Sequence, residues 1–413
     1  MLVQVISSLP ELYRPMLRIK FISSSLYLLV GRPALAATGR ILRATPDADL
    51  RALLAALRPG DMLLLANGTY ANGIQLGQKH AGTAERYITI RAEHPGQAVL
   101  SGERLPRGRK QIVRLDGASF VRLEGLAFRD AHGNGAAGVS LGDGCHHVIV
   151  ADCTFEDIDT PDPGTEDHTA NGVIAYGTVP DAPIHDILVF RNTFRHLRTG
   201  WGECISFGEN CENINIVANL VEDTGNIGID VSGNYGDCPA ADRDFVRHAY
   251  IARNTVRDCV NRDYGDTCYG IYADGAQHVQ IVSNLVERCM GGIEVGAERI
   301  PPDDRFSASD ILVRGNTIRH CTEQAIACGG WNIDASSGDD LSGWVRRVRF
   351  VDNALQSNAA GITLFQCAGI ELLRTRFDAP PSSPSASITL EFESQGLTRD
   401  IRVSGSRHSP SLQ

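Results

Sequence analysis

A short alternation of apolar and polar residues recurs along the centre of the chain, and each copy carries asparagine at its sixth position. The copies include "ILVFRNTF" at 187–194 and "INIVANLV" at 214–221. The asparagines are Asn192, Asn219, Asn254, Asn284, Asn316 and Asn353, at intervals of 27 to 37 residues. Alternation is the period of a β-strand, and a repeat of this length predicts stacked coils. One asparagine per coil predicts a ladder of buried amides, because an unpaired buried amide is costly.

A second short strand follows in each unit, with a small residue before an apolar one. The apolar residues predicted to point inward are Val139, Val173, Ile205, Ile229, Ile271, Ile293, Ile326 and Ile362. The next residue of each strand, which should point outward, is Ser140, Ile174, Ser206, Asp230, Tyr272, Glu294, Ala327 or Thr363. Two or three short strands per coil, with a continuous interior, predict an all-β parallel β-helix solenoid.

The two ends of the chain differ from the repeats. Residues 45–61 have leucines at helical spacing after Thr45 and Pro46, which predicts a helix that caps the open end of the solenoid. We expect the β-helix to span residues 37–400, followed by a C-terminal tail at 401–413.

The N-terminal segment has the pattern of a signal peptide. From Met16 it has a basic start, a short apolar run and the small residues Ala34-Leu35-Ala36. This predicts a signal peptide over residues 1–36, a mature start near residue 37 and export to the periplasm or outside, with Met1 or Met16 as the first residue. An apolar N-terminal arm is the alternative. The apolar run is too short for a membrane span, so we expect no integral membrane segment.

The net charge and the positions of the lysines and cysteines limit which functions and catalytic groups are possible. A formal charge of −10 argues against nucleic-acid binding. The three lysines all lie at or before Lys110, so no lysine is available as a base in the repeats. Of the 11 cysteines, Cys259, Cys289 and Cys321 fall at one repeat position and should stack inward, whereas Cys238 and Cys268 flank an insertion and form a candidate disulfide.

The "GDMLLLANGTY" opening, the asparagine segments and "GIYADG…GGIEVGAE" together resemble the right-handed parallel β-helix proteins of the pectate-lyase-like superfamily, over roughly residues 45–400. That superfamily includes polysaccharide lyases, glycoside hydrolases, uronan epimerases and phage tailspikes. The resemblance therefore implies the fold and leaves the reaction open.

Carboxylates gather on the predicted outer face of the central coils. Asp274 lies two residues beyond Tyr272, and strand spacing puts its Cα roughly 8 Å from that of Glu294 on the next coil. Two such acids can cleave a glycosidic bond. A weaker resemblance to β-helix β-xylosidases implies that Asp274 is the nucleophile and Glu294 the acid/base; Asp230 is a third catalytic candidate. Glu209 belongs to the same predicted cluster.

The expected function is thus cleavage of a polysaccharide or oligosaccharide by an exported glycoside hydrolase that needs no cofactor. The predicted substrate-binding residues are Tyr272, Glu203, Glu298, Arg299, His168 and Trp201. Trp331 and Trp344 are further candidates for sugar stacking. One alternative is a polysaccharide lyase that uses Ca²⁺ to neutralise a uronic acid, with Arg243, Arg253, Arg299 or a Tyr/His pair as base. Others are a non-catalytic glycan-binding β-helix, or acids that are merely solvated or paired with arginine.

Overall fold

The alternating segments form three parallel sheets in which each coil stacks on the previous one. The computed structural model describes residues 39–105, 109–265, 268–331, 341–378, 383–384, 387–390 and 398–405. The predicted signal peptide lies outside these residues. In the described part no helix is long and apolar enough to cross a membrane.

The elements follow one another in a regular order of three strands per coil. In chain order they are β1 Ile41–Ala44, α1 Leu50–Ala55, β2 Met62–Leu65, β3 Gly68–Tyr70, β4 Ile74–Gly77, β5 Ile88–Ala92, β6 Ala98–Ser101, β7 Gln111–Asp116, β8 Ser119–Glu124, β9 Ala127–His132, β10 Ala136–Gly142, β11 His146–Ala151, β12 Thr154–Asp159, β13 Ala170–Gly177, β14 Ile184–Phe190, β15 Thr193–Leu197, β16 Ile205–Glu209, β17 Cys211–Val217, β18 Leu220–Thr224, β19 Ile229–Ser232, β20 Tyr250–Ala252, β21 Thr255–Cys259, β22 Tyr269–Asp274, β23 Gln280–Val282, β24 Leu285–Glu287, β25 Gly291–Ala297, a 3-10 helix Asp304–Phe306, β26 Ser309–Arg314, β27 Thr317–Arg319, β28 Gln324–Gly330, β29 Val345–Val351, β30 Ala354–Gln356, β31 Ala360–Leu364, β32 Cys367–Leu373, β33 Arg376–Phe377, β34 Ile388–Leu390 and β35 Arg399–Ser404.

Every third strand belongs to the same sheet. Sheet A has the order β1-β2-β5-β8-β11-β14-β17-β20-β23-β26-β29-β32-β35; sheet B has β3-β6-β9-β12-β15-β18-β21-β24-β27-β30-β33; and sheet C has β4-β7-β10-β13-β16-β19-β22-β25-β28-β31-β34. All strand pairs within the sheets are parallel, as predicted for a β-helix. The final strand, β35, reaches Ser404 and so continues sheet A four residues beyond residue 400, where we expected the tail.

The inward column of sheet C is confirmed. Each predicted residue pairs with the next, for example Ile229 with Ile271 and Ile271 with Ile293, and all are buried. The preceding residue is often glycine because a side chain there would collide with neighbouring atoms. A Cβ on Gly270 would lie 2.5 Å from the side chain of Val286 in the interior, which no larger residue could tolerate without a shift.

The asparagine ladder is also confirmed. From Asn219 onward, the Oδ1 atom of each residue accepts hydrogen bonds from both the backbone and the side-chain N–H of the asparagine one coil earlier. Asn254, for example, donates to Asn284 Oδ1 at 2.9 Å from its backbone nitrogen and at 3.0 Å from Nδ2. The ladder runs without a break from Asn192 to Asn353 and fixes the corner between sheets A and B.

The capping helix is present but begins later than predicted. Its N-cap is Asp49, whose carboxylate accepts from the backbone N–H of Ala52, so Thr45 and Pro46 lie in a preceding turn. Ala52 is the third residue of the helix, and an N-cap side chain accepts a hydrogen bond from the otherwise unpaired N–H at the second or third position. Leu50 and Leu54 are buried against the core, so α1 covers the first coil as expected.

On the strands of sheet A from β8 to β29, one residue near the start of each strand has left-handed backbone geometry. We call these residues the entry row, and their φ values lie between 52° and 60°: Phe120, His147, Asp186, Asn213, His248, His278, Asp310 and Arg347. The left-handed residue interrupts the alternation, so that His146 and His147 are both partly exposed, as are His185 and Asp186.

All 11 cysteines are buried as free thiols. The inward stack of Cys259, Cys289 and Cys321 is confirmed, but the candidate disulfide between Cys238 and Cys268 is wrong. The backbone N–H of Cys238 is tied to Asp244 in the insertion, whereas the Cys268 thiol donates to the carbonyl of Cys259 at 3.7 Å. The two cysteines therefore have different hydrogen-bond partners, and both are free thiols.

Candidate functional site

The acids predicted on the outer face of sheet C come from three consecutive coils. Asp230 of β19 pairs in register with Tyr272 of β22, and Tyr272 pairs with Glu294 of β25. Asp274 is two residues beyond Tyr272 and pairs with Gly296. Since neighbouring parallel strands lie about 4.8 Å apart, this register brings the acids into one patch.

These side chains point away from the solenoid interior but are nevertheless buried. Only 4% of Asp230, 1% of Asp274 and 3% of Glu294 is exposed. Tyr235, which follows β19, and Trp331, which follows β28, contact these acids and help to cover the patch. The site is therefore a covered carboxylate cluster rather than an open charged face.

A tyrosine that the sequence did not single out joins two of the acids. Tyr235 Oη lies 2.5 Å from Asp274 Oδ2 and 3.0 Å from Glu298 Oε2, which bounds the separation of these two carboxyl oxygens at about 5.5 Å. A phenol has one proton, so it donates to one carboxylate; the other contact is a hydrogen bond only when that carboxyl is protonated. The backbone N–H of Glu298 also donates to Asp274 Oδ1 at 2.8 Å.

Glu294 has a different partner. The indole Nε1–H of Trp331 donates to Glu294 Oε1 at 2.7 Å, and half of the Trp331 side chain remains exposed. Trp331 was a candidate for stacking on a sugar; its hydrogen bond additionally places it against a candidate acid.

Burial and mutual repulsion raise the pKa values in the cluster. Burial, reinforced by the charge of Glu298, raises the pKa of Asp274 to about 7. Burial likewise raises the pKa of Glu203 to about 7, and those of Asp230 and Glu294 well above their ordinary values, with further repulsion between these acids. Among the described residues, no arginine or lysine forms an ion pair with Asp230, Asp274 or Glu294.

Two polar atoms in the cluster have no hydrogen-bond partner within the described residues. They are Asp230 Oδ1 and the hydroxyl of Tyr272, both buried. The Tyr272 ring lies over Gly296, where a Cβ would approach the tyrosine oxygen to 2.5 Å. Because an unsatisfied buried polar group costs roughly 1–3 kcal/mol, such atoms are typical of a site that completes its hydrogen bonds with a ligand.

The other predicted substrate contacts lie around the cluster at different distances. Arg299 places its guanidinium 5.0 Å above the ring of Tyr235 and so adjoins the cluster. Trp201 is 36% exposed and stacks on Tyr264 with ring centroids 4.2 Å apart. His168 is its neighbour, since the His168 carbonyl accepts from the backbone N–H of Trp201. No contact joins His168 to the carboxylates among the described residues.

Two residues do not join the cluster. Glu209 is buried elsewhere beside Asp244, and burial together with that neighbour raises the pKa of Glu209 to about 10. Trp344 is only 2% exposed and cannot stack on a sugar. Of the three arginines considered as lyase bases, Arg253 belongs to the corner between sheets A and B and Arg243 contacts Asp181, which leaves Arg299 beside the cluster.

The cluster does not fit a Ca²⁺ ion as it stands. Its oxygen donors suit Ca²⁺, whose ligands lie about 2.3–2.6 Å from the ion. Within the described ranges, however, no three of these carboxyl groups bring ligand atoms within 4.8 Å of one another. Both oxygens of Asp274 are already held by Tyr235 and Glu298. We therefore derive no step through Ca²⁺.

Comparisons with known proteins agree with this fold. Residues 45–177 match the family described as chondroitinase B. The chain is 27% identical over 286 residues to the uncharacterized protein YwoF of Bacillus subtilis, an alignment that covers 66% of this chain. The matched region spans 58% of the length of that relative.

Among solved structures, a PL6-family polysaccharide lyase from Pseudopedobacter saltans aligns with a TM-score of 0.53 at 12% identity, covering 88% of this chain and 92% of the lyase. The periplasmic alginate epimerase AlgG gives 0.52 at 11% identity, with 88% and 83% covered. A GH136 lacto-N-biosidase from Eubacterium ramulus gives 0.51 at 14% identity, with 91% and 67% covered. At these identities the likeness concerns the fold alone, and with the three stacked parallel sheets it shows that the chain is a parallel β-helix.

Proposed function

We propose that this protein is a carbohydrate-active enzyme that cleaves glycosidic bonds with a pair of carboxyl groups, Asp274 and Glu294. The observation that supports the proposal is the covered cluster itself: buried acids, without an arginine or lysine partner among the described residues, whose environments differ. Glycoside hydrolysis needs one carboxyl group that is protonated and one that is ionised, and such differences in environment separate the two roles.

The hydrogen bonds suggest which acid takes which role. Asp274 accepts from Tyr235 and from the backbone N–H of Glu298, two contacts that favour its ionised form. Glu294 accepts from Trp331 alone, and burial raises its pKa well above its ordinary value. Glu294 would thus protonate the glycosidic oxygen, while ionised Asp274 attacks the anomeric carbon or activates water.

The surroundings of the pair suit a sugar. Tyr272 and Asp230 each offer a buried atom that lacks a partner in the described residues, and a sugar hydroxyl can both donate and accept. Trp201, stacked on Tyr264, and the half-exposed Trp331 offer apolar faces on which a sugar ring can lie. An acid-rich site of this kind favours a neutral glycan over a polyuronate, which it would repel.

β-Elimination from a uronic-acid glycan is the second candidate, and the match of residues 45–177 to the chondroitinase B family favours it. The matched residues end before Glu203, so the match does not include the carboxylate cluster. A lyase needs a base, and the cluster offers no lysine and only Arg299 beside it. Burial raises the pKa of Tyr272 well above its ordinary value, which makes this phenol a poor base. We rank the lyase second for this reason.

A panel of neutral and acidic polysaccharides and oligosaccharides distinguishes the candidates, with reducing ends and ultraviolet absorbance of unsaturated products measured together. The hydrolase predicts reducing ends without that absorbance, and activity that survives EDTA. Absorbance that EDTA abolishes would establish the lyase. Glycan retention with neither product would establish a binding protein.

The variant test uses Asp274→Asn and Glu294→Gln, with Asp258→Asn as the matched control. Asp258 is partly exposed, is paired with Arg288 and has φ of 57°, a geometry that asparagine tolerates. The hydrolase proposal predicts loss of turnover in the first two variants and full activity in the control. Full activity of Asp274→Asn would contradict it.

We also propose that the protein is exported, on the strength of the N-terminal pattern described above. The mature protein recovered from the periplasm or medium should begin near residue 37; an intact N-terminus on cytoplasmic protein would contradict export.

A further inference from the structure

A second group of titratable side chains lies on sheet A, away from the carboxylate cluster of sheet C. It consists of His147 on β11 and of His185 and Asp186 on β14, the next coil. One ligand atom from each lies within 4.8 Å of the other two, and no other such triplet of His, Cys, Asp or Glu is found in the described ranges.

The entry row explains how three ligands meet on two adjacent strands. His147 and Asp186 both have left-handed backbone geometry, with φ of 53° and 56°. The interrupted alternation turns His185 and Asp186 toward the same side as His147, which strict alternation would forbid. The side chains remain 32–39% exposed, so an ion could reach them.

The carboxylate of Asp186 has only histidine partners among the described residues. Its Oδ2 lies 2.7 Å from His185 Nδ1 and 3.8 Å from His147 Nε2. Asp310, four coils along the same row and on the coil after His278, is instead held by two nitrogens of the Arg347 guanidinium. The entry row thus contains two aspartates beside histidines, Asp186 and Asp310. Of these two, only Asp186 lacks an arginine partner among the described residues, so its carboxylate can attract a cation.

Neighbouring aromatic rings hold the two imidazoles in place. Phe120 stacks on His147 at 4.4 Å, and His146 stacks on His185 at 4.9 Å with an interplanar angle of 6°. His146 Nδ1 also lies 3.0 Å from His147 Nδ1. When His147 donates through Nδ1, its Nε2 keeps the lone pair that a metal requires, which is the usual second-shell arrangement of a metal-binding histidine.

We propose that His147, His185 and Asp186 bind one divalent transition-metal ion of the Zn²⁺ class. Ligands of a tetrahedral Zn²⁺ lie roughly 3–3.5 Å apart, which small rotations of these side chains would reach. Two imidazole nitrogens and one carboxylate favour Zn²⁺, Co²⁺ or Ni²⁺ over Ca²⁺ or Mg²⁺, which prefer oxygen ligands alone. The ion would join two neighbouring coils and leave a coordination position for water.

The test uses tag-free full-length protein that has been treated with EDTA and then freed of the chelator. Calorimetric titration with Zn²⁺ gives the stoichiometry and affinity, and Co²⁺ substitution gives a visible spectrum that reports the ligand types. The variants are His147→Asn and Asp186→Asn, because asparagine tolerates the left-handed geometry at both positions. His278→Asn, at an equivalent position of the same row, is the matched control.

We expect one Zn²⁺ per chain in the wild type and in His278→Asn. Loss of a direct ligand should weaken binding by more than the roughly 10- to 100-fold that loss of an outer-shell partner costs. The Co²⁺ spectrum should lack the charge-transfer band of thiolate ligands. Absence of stoichiometric Zn²⁺ binding would overturn the proposal. So would equal binding by the wild type and by both ligand variants, since the ion would then lie elsewhere, for example on the buried thiols.

Discussion

Replacing Asp274 by asparagine should abolish turnover and at the same time stabilise the protein at alkaline pH. Asp274 is buried and has no ion pair in the described structure, so its ionised form carries a cost in the folded state. The amide fits the same contacts. Its oxygen can accept from the Glu298 N–H, its nitrogen can donate to Tyr235, and Tyr235 can then donate to Glu298. The substitution therefore removes a charge without leaving a polar group unpaired.

The magnitude follows from the pKa of Asp274, which rises from an ordinary value of 3.8 to about 7. The pKa of Asp274 is higher in the folded protein than in the unfolded chain. Protonated Asp274 therefore contributes its full stability to the fold below pH 3.8, and this contribution is lost as the pH rises toward 7. This rise in pKa corresponds to a penalty of roughly 4 kcal/mol at pH 8, and less than half of that penalty is present at pH 5. Asp274→Asn should gain stability by amounts of this order.

The assay is urea denaturation of wild type and variant at pH 5 and pH 8. Asp352→Asn is a control of opposite sign, because the Arg374 fork that binds Asp352 lowers the pKa of that carboxyl. This control should lose a little stability at pH 8 and less at low pH. A gain for Asp274→Asn that is no larger at pH 8 than at pH 5 would refute the reasoning, because burial would then not penalise the charge.

Three further predictions address catalysis and the fold. Turnover by the wild type should fall as the pH drops below about 7, because Asp274 becomes protonated; a profile flat from pH 5 to 8 would contradict an ionised Asp274. Trp331→Phe should lower kcat about tenfold, with little change in KM, since it removes the N–H that donates to Glu294, a bond worth roughly 1–2 kcal/mol; an unchanged kcat would exclude the contact from catalysis. Asn284→Ala should cost about 2–4 kcal/mol in urea denaturation, because it leaves the buried N–H groups of Asn254 unpaired. Asn215→Ala, outside the ladder, is the control and should cost much less.

Sequence periodicity was sufficient to predict the coils and their register. The inward column from Val139 to Ile362 pairs residue for residue as predicted, because a slip of one position would turn every apolar side chain to the outside. The asparagine ladder was predictable for a related reason: one amide per coil satisfies its neighbours only when all are aligned. The start of the capping helix was less predictable than the strands. Both Thr45 and Asp49 are suitable N-cap residues, and the geometry of the first turn places the N-cap at Asp49.

The environment of the acids was not predictable from the sequence. Alternation correctly put Asp230, Tyr272 and Glu294 on the outer side of sheet C, yet it could not indicate that they are buried. Their cover depends on contacts between distant segments, such as Tyr235 with Asp274, 39 residues apart. In the sequence, Tyr235 is one aromatic residue of an insertion, "SGNYGD", and this context does not distinguish a site residue from an ordinary loop residue.

The rest of the surface shows what this fold does with acids that have no special role. On sheets A and B, carboxylates are repeatedly paired with an arginine of a neighbouring coil, as Asp152 is with Arg191 and Asp258 with Arg288. Stacked coils make such pairing easy, since any position lies beside its equivalent about 4.8 Å away. The carboxylate cluster has the same stacking but presents acid, tyrosine and acid in succession. An arginine at position 272 would have neutralised both neighbours. The tyrosine there leaves the buried acids without a positive partner among the described residues, so their pKa values stay raised. The proton transfer to a glycosidic oxygen that we propose requires such an acid.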